Sequence, residues 1–162
     1  PALLTTRKAA ATPAMRTDAL SFVHTHTGES LQVTFRAEGE YVPAALRAVD
    51  RFLRDHRTGD TRPIDPALLD QLHRLAQITG AHAPYQVISG FRSDRTNTML
   101  RARGGGVARG SLHLEGRAID VRVADVGLDT LRDAARSLAA GGVGYYAASA
   151  FVHLDTGRVR HW

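Results

Sequence analysis

The sequence predicts an α+β fold, a small and mainly antiparallel sheet packed against several helices. Three observations point to it. Segments such as LSFVH, LQVTF, RAIDVRV and FVHLD alternate apolar and polar residues with the period of a half-buried strand. PAALRAVDRFLRDHR and DPALLDQLHRLAQITG instead repeat their apolar residues at helical spacing. The last strand-like pieces are joined by connections too short for a crossover helix, which favours antiparallel pairing.

Taken in chain order, PALLTTRKAAATPAMRTDA is small, polar and unpatterned, and residues 1–19 are expected to be a disordered lead-in. LSFVHTHTGESLQVTFR reads as a β-hairpin turning at Thr27-Gly28-Glu29. His24 and His26, two apart on its first strand, are read as exposed positions rather than a metal pair. In the first helix Leu46, Val49 and Leu53 share a face with Phe52 beside them, and Pro43 suits the first turn. The second helix has Asp65 as N-cap, Pro66 at its first position, a stripe of Leu68, Leu72, Leu75 and Ile78, and Gly80 to close it. His73 rides beside that stripe as a packing or surface residue.

YQVIS is a short buried strand running into GFRSDRTNTMLRAR, a further helix capped by Ser93 or Asp94. Gly104, Gly105 and Gly106 follow without the Gly-Lys-Ser/Thr of a P-loop, and a mobile loop is expected there. RAIDVRV is a strand and GLDTLRDAARSLAAGG an amphipathic helix ending at Gly141; VGYY, FVHLD and RVRHW are short β pieces.

At 162 residues the chain is most simply one domain, here 20–162, large enough to bury a core without staples. No run of 18 or more apolar residues is present to span a membrane, and no charged-then-apolar leader follows Pro1. The absence of cysteine excludes disulfides, thiolate metal sites and cysteine nucleophiles. A net charge of +5 suits an anionic partner, whether nucleic acid, membrane surface or cell-wall polymer, although the arginines are spread along the chain. There is no recognised nucleic-acid motif, and only 6% of residues are aromatic and able to stack on bases.

SLHLEGRAID places His113 and Asp120 seven residues apart around Gly116. On one strand they would face opposite sides; a helix is opposed by Gly116 and the β-branched Ile119, Val121 and Val123. A turn at Glu115-Gly116 remains, which curls His113 over a strand whose Asp120 faces away from the core. In FVHLD, Phe151, His153 and Asp155 share a face. If these strands pair, Asp120 and His153 become cross-strand neighbours with His113 above them. Two imidazoles and a carboxylate suit a catalytic zinc with its fourth position open. An aspartate among apolar neighbours needs a partner, and either metal ligation or a buried arginine would supply it.

SGFRS, SLHLEGRAID and GGVGYY…FVHLDTGRVRHW together resemble the murein endopeptidase K family, over nearly the whole stretch from Leu20 to Trp162. That family belongs with zinc-dependent D-Ala-D-Ala carboxypeptidases and VanX-type dipeptidases on the hedgehog-like peptidase fold. The resemblance implies one Zn²⁺ per chain held by His113, Asp120 and His153. It places Arg92 where it would bind a substrate carboxylate or stabilise the oxyanion, and Ser111 where it would orient the site or touch substrate. Asp155 is expected to fix a ligand imidazole or serve in catalysis.

The implied activity is a murein endopeptidase hydrolysing meso-diaminopimelate-containing cross-links. The expected partner is the peptidoglycan stem peptide, and the expected location is the periplasm or cell envelope of a Gram-negative bacterium, after removal of a signal peptide. The sequence departs from the wider group in one respect. Where relatives carry a carboxylate or histidine as general base, this chain has Ala150 and Phe151, which leaves Asp155, Glu115 and His161 as candidates. A D,D- or L,D-carboxypeptidase and a non-catalytic zinc-containing wall-binding module are the alternatives.

Overall fold

The computed structural model describes residues 15–104 and 110–162. Most of the expected lead-in, and Gly105 and Gly106 of the expected loop, lie outside the described residues. Residues 17–19 already belong to the first strand.

Strands β1 (Thr17–His24) and β2 (Ser30–Ala37) form the hairpin, turning through Gly28 with φ 73°, and β3 (Glu40–Tyr41) extends its edge. There follow α1 (Pro43–Phe52), α2 (Pro66–Thr79), β4 (Tyr85–Ser89), α3 (Asp94–Ala102) and a 3₁₀ turn at Leu112–Glu115. The chain ends with β5 (Ala118–Val123), α4 (Leu128–Leu138), β6 (Gly142–Tyr146), a 3₁₀ turn at Ala147–Ser149, β7 (Phe151–Asp155) and β8 (Arg160–His161). All the strands join one sheet in the order β3-β2-β1-β4-β5-β7-β6-β8. The pairings are antiparallel except β1–β4 and β6–β8.

Strand alternation divides this sheet into two faces. Phe22, Val87, Val121 and Val152 are buried in one continuous core with residues of α1, α2 and α4. The other face, at β5, β7 and β6, carries the polar residues discussed below. Local signals set the helix ends: Asp65 accepts from Ala67 N–H at 3.0 Å, Gly80 is left-handed at φ 66°, and the Ser93 hydroxyl accepts from Thr96 N–H at 3.3 Å.

Three expectations need correction. Leu69 joins Leu68, Leu72 and Leu75 in the core, whereas Ile78 is 55% exposed. At 100° per residue Ile78 stands roughly 110° from the centre of that stripe. His24 is only 1% exposed, because Phe52 and His56 from α1 and the segment after it close over the hairpin end. The last helix stops at Leu138 with Ala139 in the left-handed region at φ 48°, ahead of Gly141.

The segment leaving β4 is pinned on both sides. Phe91 N–H donates to Leu53 O at 2.8 Å. Asp55 accepts from Ser93 N–H at 2.9 Å, from the Ser93 hydroxyl at 2.7 Å and from Arg57 N–H at 2.9 Å. Burial opposes ionisation of Asp55, but hydrogen bonds from Thr96, Ser93 and Arg57 outweigh it and hold the pKa down at about 2. These contacts fix the stretch Gly90–Arg92, which supports the site.

Candidate metal centre and active site

Asp120 of β5 stands directly opposite His153 of β7, and Gly144 of β6 stands opposite His153 on its other side. His113 comes from the 3₁₀ turn and is brought over the strands by Gly116. This glycine has φ 70°, and a Cβ on it would lie 2.4 Å from Pro63 O. Both its dihedral angle and its surroundings exclude a side chain.

His113 Nε2 lies 3.2 Å from Asp120 Oδ1 and 3.2 Å from His153 Nδ1, and His153 Nδ1 lies 2.9 Å from Asp120 Oδ1. All three residues are buried. The outer ring nitrogens are already engaged. His113 Nδ1 is 2.6 Å from Gly90 O, and His153 Nε2 is 3.1 Å from Asp155 Oδ2. Both of those partners only accept, so both outer nitrogens are N–H donors. The inner nitrogens and Asp120 Oδ1 therefore turn lone pairs toward a common point, an arrangement that calls for a cation.

The spacing fits zinc. Bonds of about 2.05 Å to a tetrahedral ion place neighbouring ligand atoms about 3.3 Å apart. The electrostatics agree. Burial disfavours the charged form of Asp120, yet His113 and His153 hold its carboxyl well below the usual range. Burial keeps His113 neutral by lowering its pKa. Burial also pushes His153 down, but its bonds to Asp120 and Asp155 win and raise it.

Arg92 stands beside this centre. Its Nε donates to the Ser89 hydroxyl at 3.1 Å and its Nη2 to Asp120 Oδ2 at 3.3 Å. Asp120 thus has the buried arginine foreseen as one of its two possible partners on Oδ2, while its Oδ1 faces the two imidazoles. Burial lowers the Arg92 pKa against the opposing pull of Asp120.

A family model described as peptidoglycan L,D-endopeptidase MepK matches residues 11–162. The chain belongs to the MepK family. Peptidoglycan L,D-endopeptidase MepK of Escherichia coli strain K12 is 46% identical over 143 residues, which cover 88% of this chain and 79% of that protein. A relative from Haemophilus influenzae described as "Probable peptidoglycan L,D-endopeptidase MepK" is 42% identical over 144 residues, covering 88% of this chain and 77% of that protein. Among solved structures, the L-Ala D-Glu endopeptidase ChiX of Serratia marcescens overlaps 47% of this chain and 62% of its own, with TM-score 0.39 and 23% identity.

In this member of the MepK family the other singled-out residues separate by position. Asp155 is fully buried behind His153. Its oxygens also receive Gly142 N–H at 2.9 Å, Gly157 N–H at 2.8 Å and both Arg160 terminal nitrogens at 3.2 and 2.8 Å. That geometry belongs to a group that orients His153, not to a base free to reach the centre. Ser111 begins the 3₁₀ turn, where its carbonyl accepts from Leu114 N–H at 2.9 Å. Glu115 is exposed and paired with Arg117 at 3.1 Å. His161 is exposed on β8 and neighbours Trp162, whose ring faces His153, so strand alternation points His161 the other way. Ala150 is exposed at φ 52°, and Phe151 stacks on Tyr146.

Sequence reasoning missed Gly90, Ser89 and Arg160, which anchor the site's outer bonds. It placed Phe151 on the face of His153 but missed Tyr146, which stacks on Phe151, and Trp162, which packs on His153. The alternation of GVGYY against FVHLD carried a signal for Tyr146, because it places Gly144 and Tyr146 on one face.

Proposed function

We propose that this chain is a zinc-dependent peptidoglycan endopeptidase that hydrolyses L,D peptide bonds in meso-diaminopimelate-containing cross-links. The setting is the periplasm of a Gram-negative bacterium. The observation that carries this is the buried convergence of three lone-pair donors from His113, Asp120 and His153 in a member of the MepK family. The curated relatives bear the name L,D-endopeptidase, and the basic net charge suits an anionic wall.

His113, Asp120 and His153 would hold the ion. When bound, zinc supplies Lewis acidity, polarising a carbonyl and acidifying water. The residues of the chain do the rest. Gly90 O and Asp155 keep the two imidazoles in the tautomers that ligation requires. Arg92 is held in place by Ser89 and Asp120. Among the described residues its Nη1 has no partner, which leaves a charged donor for a substrate carboxylate or for charge developing on the scissile carbonyl. Ser111, two residues before His113, would contact the peptide stem.

Chromatography of muropeptides tests the reading. Purified protein is expected to convert dimers joined by an L-to-D bond into monomers, with activity lost in EDTA and restored by zinc. Ala150 and Phe151 favour one rival, a wall-binding module without catalysis. Dimers left intact by protein that still binds sacculi would establish that rival.

A further inference from the structure

The sheet face that carries Asp120 and His153 also carries an aromatic cluster for which the reaction above has no use. Tyr146 pairs with Phe151 two positions along from the Gly144–His153 pair, so both rings stand on the same face as His153. They stack with centroids 4.6 Å apart. Trp162 lies over Gly144, where a Cβ would come within 2.7 Å of its indole. The bare glycine backbone lets that indole approach the His153 ring, at 5.2 Å between centroids.

Trp162 Nε1–H donates to the Tyr146 hydroxyl at 2.8 Å. An indole nitrogen can only donate, so the phenolic oxygen is the acceptor in that bond and its own proton is directed elsewhere. The face of His153 therefore carries a donor besides Arg92, stacked on the Phe151 that stands where an acid or base is otherwise expected.

We infer that Tyr146 is a catalytic residue whose phenolic O–H donates a hydrogen bond to the oxyanion developing on the scissile carbonyl. Trp162 is the positioning residue that holds the hydroxyl in its donor orientation. The inference rests on the endopeptidase reading. No bond is made or broken at the tyrosine; the proton stays on the phenol, and the hydrogen bond strengthens as charge accumulates on the carbonyl oxygen. A phenol and a guanidinium together favour a tetrahedral anion over the planar, neutral peptide.

The test uses the zinc-loaded full chain and a phosphinate pseudopeptide, whose tetrahedral anionic phosphorus imitates the attacked carbonyl. Calorimetric titration of this probe accompanies muropeptide turnover. Tyr146→Phe is expected to weaken phosphinate binding and lower kcat, each by about 100-fold, while KM changes by less than about threefold. Zinc content and melting temperature stay those of the wild type. Trp162→Phe keeps a ring over Gly144 but has no N–H. It is expected to lower kcat by about tenfold alone and to have no further effect in the Tyr146→Phe background.

Equal phosphinate affinity and equal kcat in wild type and Tyr146→Phe would overturn the inference. Additive losses in the double variant would overturn the role given to Trp162. A wild-type protein that binds phosphinate through Tyr146 yet cleaves no dimer would support the donor while sinking the endopeptidase reading.

Discussion

Each imidazole of the triad is oriented by a different kind of acceptor, and the difference has consequences. His113 is held by the backbone carbonyl of Gly90, which no side-chain substitution removes. His153 depends on the Asp155 carboxylate, itself locked by Arg160, Gly142 and Gly157. Asp155→Asn keeps the shape but removes the charge that sustains the His153 tautomer. It should weaken zinc binding by about 10- to 100-fold in a competitive chelator titration. Trp162 is the sole tryptophan of the chain and packs on His153. Its fluorescence should therefore respond to zinc and saturate at one equivalent, and this response should vanish in His113→Ala.

The elements owe their placement to two contacts away from the chemistry. Gly116 converts a local repeat into a site, because only a left-handed residue lets the 3₁₀ turn lean back over β5. Gly116→Ala should cost about 2–4 kcal/mol from the combined dihedral strain and the clash with Pro63 O, seen as a lowered melting temperature. Asp55 ties the segment after α1 to the start of α3, and its folded pKa of about 2 lies below the ordinary value of 3.8. A depressed carboxyl stabilises the fold above the unfolded pKa and loses that contribution as pH falls from about 4 toward 2. Asp55→Asn should lower stability by about 1–2 kcal/mol near neutrality, with the difference from wild type shrinking across that acid range in denaturant titrations.

The strand alternation of RAIDVRV and FVHLD was sufficient to put Asp120 and His153 on one face, and the cap residues Asp65, Ser93 and Gly80 marked their helix ends correctly. The burial of His24 and the network of Asp55 escaped that reading. Both depend on a loop after α1 folding back on distant segments, and no periodicity records such a contact.

Helices α1, α2 and α4 cover one face of the mixed sheet, and the other face carries the site at β5, β7 and β6. The two parallel pairings, β1 with β4 and β6 with β8, were not legible, since each joins segments separated by intervening elements. The second of these pairings carries Trp162 over Gly144, which is why Trp162's place beside His153 was hidden in the sequence while the cluster of His113, Asp120 and His153 was visible. The net charge of +5 implies long-range attraction to an anionic wall. Binding to isolated sacculi should therefore weaken as salt is raised, in a pelleting assay, while zinc content stays constant.

Metal content after equilibrium dialysis decides whether His113, Asp120 and His153 form a single zinc site. Wild-type protein should retain one zinc per chain, and His113→Ala, still folded by circular dichroism, should retain almost none. Equal zinc content in the two proteins would mean that His113 is no ligand and that the ion, if bound, lies elsewhere.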